Sequence, residues 1–472
     1  MIPKCQIFTP LEYVTKLLDI AEYKEFLYGK KILENSCGNG NILVEIVKRY
    51  IADCIEKGFL LDEIKNGLEN DIYAFEIDLA HSEECKRRLN EIVNFYNIYE
   101  VKWNINNNDY LKNIDNQKFD FIIGNPPYIM YKELDNETRK FLKEKYKVCE
   151  NGKFDYCYAF IEKSIKDLKT NGKMSYLIPG SIFKNVFGKN LRNFLLPHIN
   201  EIYDYSEKAL FTNVLTSSTI LNLEKDSNND EIIYHNIIME NSKKIQKIKL
   251  GEKWIFHNIK FSSSKKKFGD YFKVSNSVAT LSNKVFIIDK YEEVDENYIK
   301  VEEFLIEKTL LKKAASPKGM SKNKNEYIIF PYYYTNENKI KRYSEVDFVK
   351  RFPEAKKYLI SRIEELEKRK SDKNSSWFEY GRSQALNHLN QDMLILSSII
   401  TGNAKIYDID KEYIPYSGFY ITKKDKYGLE VAKENLMSKE FLNYVKGIGI
   451  SASGNSKRIT VKDIAEFPLF KI

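Results

Sequence analysis

The clearest chemistry in the chain lies in four consecutive residues, Asn125-Pro126-Pro127-Tyr128. They follow the apolar run Phe119-Asp120-Phe121-Ile122-Ile123-Gly124, which reads as a buried strand. Two prolines directly after a strand remove two backbone donors and fix φ, giving a rigid exit from the sheet. That rigidity leaves the Asn125 side chain and a neighbouring carbonyl as a fixed pair of acceptors. Such a pair suits a planar NH2 group: two accepted hydrogen bonds hold it and favour pyramidalisation, freeing the nitrogen lone pair to attack an electrophile. Tyr128 is expected to stack on the ring that bears the amine. Read only structurally, the motif is a Pro-rich turn.

Glu34-Asn35-Ser36-Cys37-Gly38-Asn39-Gly40 holds a second group of candidates. Its glycines permit close backbone approach to a ligand, and Glu34 can accept from hydroxyls or an ammonium. Glu76 and Ile77 end another apolar run, where an acid suits a ribose diol; the structural alternative is a solvated strand-end carboxylate. Asp109-Tyr110 offers an edge acceptor and a ring face for an adenine. Thr9-Pro10-Leu11-Glu12 reads structurally as a capping box with proline at the first helical position.

These residues need a scaffold that brings them together. Lys31–Glu34, Ile72–Ile77, Phe119–Gly124 and Lys173–Ile178 read as strands, alternating with amphipathic helical stretches such as the one from about Ile42. That alternation predicts an α/β doubly wound, mostly parallel sheet. Ligands bind such sheets beyond the carboxyl ends of the strands, where the polar clusters fall. Asp226–Glu231 is a polar break, and the domain boundary is placed after residue 240: 1–240 for one domain, 241–472 for a second, mixed α+β one. In the second, Pro353 to Lys370 reads as one strong helix.

The order of these motifs resembles the gamma-class (TaqI-like) N6-adenine amino-methyltransferases of restriction–modification systems. The resemblance implies a Rossmann-like class I methyltransferase domain over residues 1–240 and a target-recognition domain over 241–472. It implies S-adenosyl-L-methionine as cofactor, bound by Thr9, Pro10, Glu34, Ser36, Cys37, Gly38, Gly40, Glu76, Ile77, Asp109, Tyr110, Asn125 and Phe160. It further implies catalysis by Asn125, Pro126, Pro127 and Tyr128, with Phe211 as the aromatic that stacks on the flipped base. Beyond the first half the similarity is looser, in Ser277–Phe286 and Trp377–Gln384.

Composition limits the alternatives. Lys plus Arg number 75 against 67 acids, a net of +8. Residues 1–225 hold 31 basic and 33 acidic residues, so the remainder carries 75 − 31 = 44 against 67 − 33 = 34, a net of +10. A near-neutral first half and a basic second half fit chemistry at one end and a polyanion at the other. Lys312, Lys313, Lys318, Lys322, Lys324, Lys457 and Arg458, with Lys265–Lys267, are candidate phosphate contacts. Arg382, Gln384 and Asn455 are candidate base readers. The expected partner is double-stranded DNA, bound as a monomer, with a separately encoded restriction endonuclease as a further partner.

Six scattered cysteines without CxxC and five separated histidines without HExxH argue against a metal site, and GxxxxGK[ST] is absent. No signal peptide or apolar span is legible, so a cytoplasmic location is expected. Cys37 is expected to pack in the cofactor loop, since no proline precedes a cysteine as in cytosine-C5 enzymes. With the Thr9 motif so close to the start of the sequence, no fused upstream nuclease is expected. The alternatives are an amino-methyltransferase acting on cytosine N4 or on an RNA or protein amine, and a DNA-binding specificity subunit without catalysis.

Overall fold

The computed structural model describes residues 9–205, 218–256, 266–452 and 455–469. The chain divides into two compact units, Met1–Phe256 and His257–Ile472.

In the first unit the elements run α1 (Leu11–Ile20), β1 (Ile32–Glu34), α2 (Asn41–Glu56), α3 (Leu61–Asp71), β2 (Ile72–Phe75), α4 (Leu79–Phe95), β3 (Asn104–Asn106) and β4 (Phe119–Gly124). They continue with α5 (Asn136–Lys145), α6 (Cys157–Asp167), β5 (Leu168–Pro179), α7 (Lys189–Leu195), β6 (Ile199–Asp204), β7 (Ser218–Glu224), β8 (Glu231–Asn236) and β9 (Asn241–Gln246). The nine strands form one sheet in the order β3-β2-β1-β4-β5-β7-β6-β8-β9. From β3 to β5 every pairing is parallel; β7 runs antiparallel to both β5 and β6.

Neighbouring residues on the central strands explain the unbroken apolar runs. Ile32, Ala74 and Ile123 face a core made with α1, α2, α3 and α4, whereas Leu33, Phe75 and Ile122 face one made with α5, α6 and α7. A strand covered on both faces has no polar side to alternate with. The expected doubly wound, mostly parallel sheet is therefore observed, with its carboxyl ends at Glu34, Phe75 and Gly124.

Two expectations are corrected here. The polar break Asp226–Glu231 is the turn between β7 and β8, with Asp226 and Asn228 at positive φ, and not an interdomain linker. The first unit also runs past residue 240 to Phe256. The cause is pairing and packing: β9 lies antiparallel to β8, Trp254 N–H donates to the Phe183 carbonyl at 2.8 Å, and the Phe256 ring stacks on Tyr234.

The second unit is mixed α+β, as expected. One antiparallel sheet joins Phe272–Asn276, Phe419–Lys423, Met393–Leu396 and Ile406–Ile409, and a second joins Ile287–Ile288, Tyr327–Ile329, Leu311–Ala315 and Tyr413–Pro415. The helix expected over 353–370 is two, Pro353–Ser361 and Ile363–Glu367, because the backbone leaves helical geometry at Arg362 (φ −110°, ψ 14°). Leu359 and Leu366 still reach one core from the two pieces. The segments 277–286 and 377–384, singled out separately in the sequence, lie side by side: Gly381 N–H donates to the Thr280 carbonyl and Arg382 N–H to that of Ala279. The Arg369 guanidinium ties them further, reaching the carbonyls of Thr280, Trp377 and Glu379.

Candidate active site

The carboxyl ends of β1, β2 and β4 open on a cavity of about 640 Å3. It gathers Thr9, Glu34, Ser36, Cys37, Gly38, Glu76, Ile77, Asp109, Tyr110, Asn125, Pro127 and Phe160, all marked in the sequence from separate stretches. Pro10, Gly40, Pro126 and Tyr128 stand outside its lining, and Phe211 lies outside the described residues.

The turn after β1 is held by β2. Cys37 N–H donates to the Phe75 carbonyl at 3.0 Å, and Gly38 N–H donates to Glu76 Oε2 at 2.8 Å. Glu76 also accepts from Asp78 N–H, so its carboxylate braces the turn as well as facing the cavity. Gly40 caps α2 at φ +86°, where a Cβ would sit 2.5 Å from Cys85 Sγ. Left-handed backbone and this collision should together cost Gly40→Ala ~2–3 kcal/mol. The expected result is a lower thermal midpoint, partly restored in the Gly40→Ala, Cys85→Ala double variant. Cys37 is buried, and its contact with Cys85 and its burial push the thiol well above its usual range, which fits packing and not nucleophilic attack.

Glu34, Asn35 and Asn39, which line this cavity, each carry a buried side-chain oxygen with no hydrogen-bond partner among the described residues: Glu34 Oε2, Asn35 Oδ1 and Asn39 Oδ1. Buried acceptors without donors are costly, so three within one short turn set this stretch apart. Desolvation raises the Glu34 carboxyl well above the ordinary carboxylate range, with the Cys85 thiol adding to it. Asp109, at the cavity's far wall, is raised by burial too, while its Oδ1 accepts from Leu111 N–H at 2.9 Å.

Tyr110 is a wall whose rim is tied down. Its hydroxyl donates to Asp167 Oδ2 at 2.8 Å, Lys163 Nζ bonds the same oxygen, and that ammonium lies 4.7 Å from the Tyr110 ring centroid. Phe75 and Phe160 approach the ring at 5.3 and 5.6 Å. From there a buried line runs through Ser164 and Tyr176 to Asn35. The sequence showed none of this network, because its members come from α6, β5 and two turns. Asn35, Asn39, Phe75 and Tyr156 also line the cavity without having been marked. The first two lie inside the quoted Glu34–Gly40 run, and Tyr156 precedes Phe160 by one helical turn, so the signal was present but unread.

At the end of β4, Asn125 Oδ1 accepts from the Tyr128 hydroxyl at 2.6 Å, and that hydroxyl lies equally close to the Leu177 carbonyl. The Tyr128 hydroxyl thus sits between Asn125 and β5. Asn125 Nδ2 donates to Thr9 Oγ1 at 3.2 Å, and Ser36 Oγ donates to the Asn125 carbonyl at 3.2 Å. The capping box expected at Thr9 is absent: α1 begins at Leu11 with Pro10 at its cap, and Glu12 pairs with Lys16.

In the second unit several expected phosphate contacts are already engaged. Lys312 pairs with Glu412, Lys324 with Glu326 and Asp289, Lys267 with Glu466, and Arg382 with Asp372. Lys457 bonds Ser451, and Lys313 lies over the Tyr413 ring. Lys318, Lys322, Gln384, Asn455 and Arg458 are exposed. Lys265 lies outside the described residues. Among the described residues no helix is long and apolar enough to cross a membrane, and no cluster of His, Cys, Asp and Glu could hold a metal ion.

The strand order and the cavity at the carboxyl ends of β1, β2 and β4 define a class I methyltransferase fold. Within it, residues 27–211 match the Eco57I restriction-modification methylase family, which bears out the resemblance read from the motifs. The chain is 27% identical over 354 residues to the type II restriction enzyme and methyltransferase RM.Eco57I of Escherichia coli, covering 63% of this chain and 34% of that protein. It is 26% identical over 248 residues to the type II methyltransferase M.BstVI of Geobacillus stearothermophilus, covering 50% and 44%. With M.HincII of Haemophilus influenzae the identity is 34% over 163 residues, covering 34% and 32%. The matched stretches span 32% to 44% of the length of these relatives. Among solved structures, the type IIL restriction-modification enzyme MmeI in complex with DNA aligns with a TM-score of 0.57 at 15% identity, covering 95% of this chain and 63% of that one. A nuclease-deletion mutant of the type ISP enzyme LlaGI, in complex with a DNA substrate mimic, aligns at 0.56 and 15%, covering 92% and 51%. Both show a shared fold.

Proposed function

We propose that the chain methylates DNA, moving the methyl of S-adenosyl-L-methionine to the N6 amine of an adenine flipped out of the duplex, as the modification activity of a restriction–modification system. The observation that supports this reading is Asn125, followed by Pro126 and Pro127, on the wall of the cavity at the carboxyl ends of β1, β2 and β4. A side-chain oxygen beside a neighbouring main-chain carbonyl fits an NH2 group, which donates two hydrogen bonds.

The residues present fit the cofactor. Glu34, Asn35 and Asn39 line the cavity and are proposed to accept from an ammonium or hydroxyls, Glu76 from a ribose diol, and Asp109 from an exocyclic amine beside the Tyr110 and Phe160 rings. Bound there, the group supplies an electrophilic sulfonium methyl. The chain's own work is to hold the amine: Asn125 Oδ1 and a neighbouring main-chain carbonyl are proposed to accept its two N–H bonds and direct the nitrogen lone pair into the cavity. No covalent enzyme intermediate is required, so catalysis rests on position and preorganised dipoles. Because a duplex buries the amine in its stack, the base must be extruded, with Tyr128 and Phe211 proposed to flank it.

We assign catalysis to the first unit and target recognition to the second, acting as a monomer on DNA. The basic excess supports nucleic acid as substrate, and Lys318, Lys322 and Arg458, exposed and in no ion pair among the described residues, are the proposed phosphate contacts. Affinity should fall steeply with salt, and each phosphate-contacting lysine contributes ~0.9 to the log–log slope. Lys318→Ala with Lys322→Ala is therefore expected to lower that slope by about 2, measured by fluorescence anisotropy on duplex DNA. Cofactor affinity should stay unchanged.

The function itself is tested by expressing the chain in a methylation-free host and mapping modified bases by long-read sequencing. N6-methyladenine within a defined motif, lost on Asn125→Ala, is the expected outcome. N4-methylcytosine at the mapped positions, or an unmodified genome, would overturn the adenine assignment.

A further inference from the structure

Asn125 is useful only if its carboxamide presents oxygen, not nitrogen, to an incoming amine. The two ends of a carboxamide have nearly the same shape, so rotation by 180° is opposed only by hydrogen bonds. A rotated side chain would set donor against donor. The resemblance leaves open what holds the side chain in place.

The structure assigns that task to Thr9 and Ser36, two residues that the family resemblance gave to the cofactor; we infer that they are positioning residues for Asn125, an inference that rests on the methyltransferase reading above. Thr9 Oγ1 accepts from Asn125 Nδ2 at 3.2 Å and holds the carboxamide from its nitrogen end. Ser36 Oγ donates to the main-chain oxygen of Asn125 at 3.2 Å and holds the backbone from which the carboxamide projects. The Tyr128 hydroxyl, 2.6 Å from both Asn125 Oδ1 and the Leu177 carbonyl, borders the oxygen end.

Thr9 is itself braced, as a positioning group must be. It is buried, at 4% exposure, and its carbonyl accepts from Asn41 Nδ2 at 3.1 Å. Asn41 Oδ1 in turn accepts from the Arg88 guanidinium at 2.8 Å, which also holds the Asn39 carbonyl. A line of hydrogen bonds therefore runs from α4 through the first turn of α2 to Thr9 and on to Asn125. The Thr9 hydroxyl does not cap α1, so helix capping does not account for it. Ser36 stands on the turn that Cys37 and Gly38 tie to β2, so its backbone is equally fixed.

Thr9 and Ser36 also face the cavity. The groups that aim the acceptor pair are therefore in reach of whatever fills it, which ties the setting of Asn125 to cofactor occupancy. This yields a split that a purely cofactor-binding role would not produce.

The test uses the full chain with Thr9→Val, Thr9→Ser and Ser36→Ala. Single-turnover methyl transfer from S-adenosyl-L-methionine to unmethylated plasmid DNA is read alongside calorimetric binding of S-adenosylhomocysteine. A misplaced acceptor costs up to ~10²-fold, so Thr9→Val should slow transfer ~10–100-fold while binding the nucleoside within about threefold of wild type. Thr9→Ser should restore the rate, and Ser36→Ala should slow transfer ~3–10-fold on the same argument. Loss of binding in proportion to rate, failure of Thr9→Ser to rescue, or an unchanged rate in Thr9→Val would overturn the inference while leaving the methyltransferase reading standing. A wild-type chain that binds the nucleoside but transfers no methyl would overturn that reading, and this inference with it.

Discussion

Asn125→Ala is expected to reduce methyl transfer by at least ~10²–10³-fold, the range lost when one preorganised hydrogen-bonding group at a reacting centre is removed. Alanine keeps the main-chain oxygen and the two prolines, so the loss reports the side-chain carboxamide. The variant should fold: Asn125 is half-buried, the Ser36 hydroxyl keeps the main-chain oxygen and the Tyr128 hydroxyl its Leu177 carbonyl. Cofactor binding should change little, because the unpartnered oxygens are on the β1 turn and Glu76 is on β2. Calorimetry with S-adenosylhomocysteine beside a single-turnover rate separates the two effects. An equal loss in both would mean that Asn125 serves the cofactor and not the amine.

Glu34→Gln has the second large expected effect. The carboxyl is buried with one oxygen unpartnered, and desolvation holds it well above the ordinary range. The sign of the pH dependence follows directly. Below the unfolded pKa both states carry the proton and Glu34 contributes no slope. As pH rises through that value, the unfolded chain releases its proton while the folded chain retains it, so stability falls until the raised folded value is passed. Glu34→Gln removes this decline, and urea midpoints from pH 4 upward should show a flatter profile than wild type. An ammonium bound beside Glu34 is expected to draw its proton off to solvent, and Glu34→Gln removes the charged acceptor so formed. A charge-assisted hydrogen bond is worth ~1.5–3 kcal/mol, so affinity should weaken ~10–100-fold. A variant with the wild-type slope and wild-type affinity would show that Glu34 neither stays protonated nor meets the cofactor.

How much was legible in the sequence depends on range. β1, β2 and β4 were legible because both faces are covered and the apolar runs are continuous. β3, the edge strand Asn104–Asn106, has no apolar residue but Ile105 and could not be seen that way. β6 and β7 enter the sheet out of chain order, so the addition of β6 to β9 to the first sheet, and with it the extension to Phe256, depended on contacts that no local pattern records. The cavity residues were found by motif, one stretch at a time, but the roles of their side chains were set by partners far along the chain. Thr9 looked like a helix cap until Asn125, 116 residues away, was seen to hold its hydroxyl. Glu76 looked like a free acid and proved to brace Gly38 as well. Lysines read as phosphate contacts from charge alone divided by neighbours: Lys324 meets Glu326, while Lys318 and Lys322 stay exposed.

The central claim is methyl transfer to adenine N6 in DNA, and isotope-labelled S-adenosyl-L-methionine tests it most directly. The purified chain is incubated with unmethylated genomic DNA, total RNA and a cell protein extract in parallel, and the products are resolved by nucleoside and amino-acid mass spectrometry. The account predicts label in N6-methyl-2′-deoxyadenosine alone, absent with Asn125→Ala. Label in N4-methylcytosine, in RNA or in protein, with none in deoxyadenosine, would contradict it.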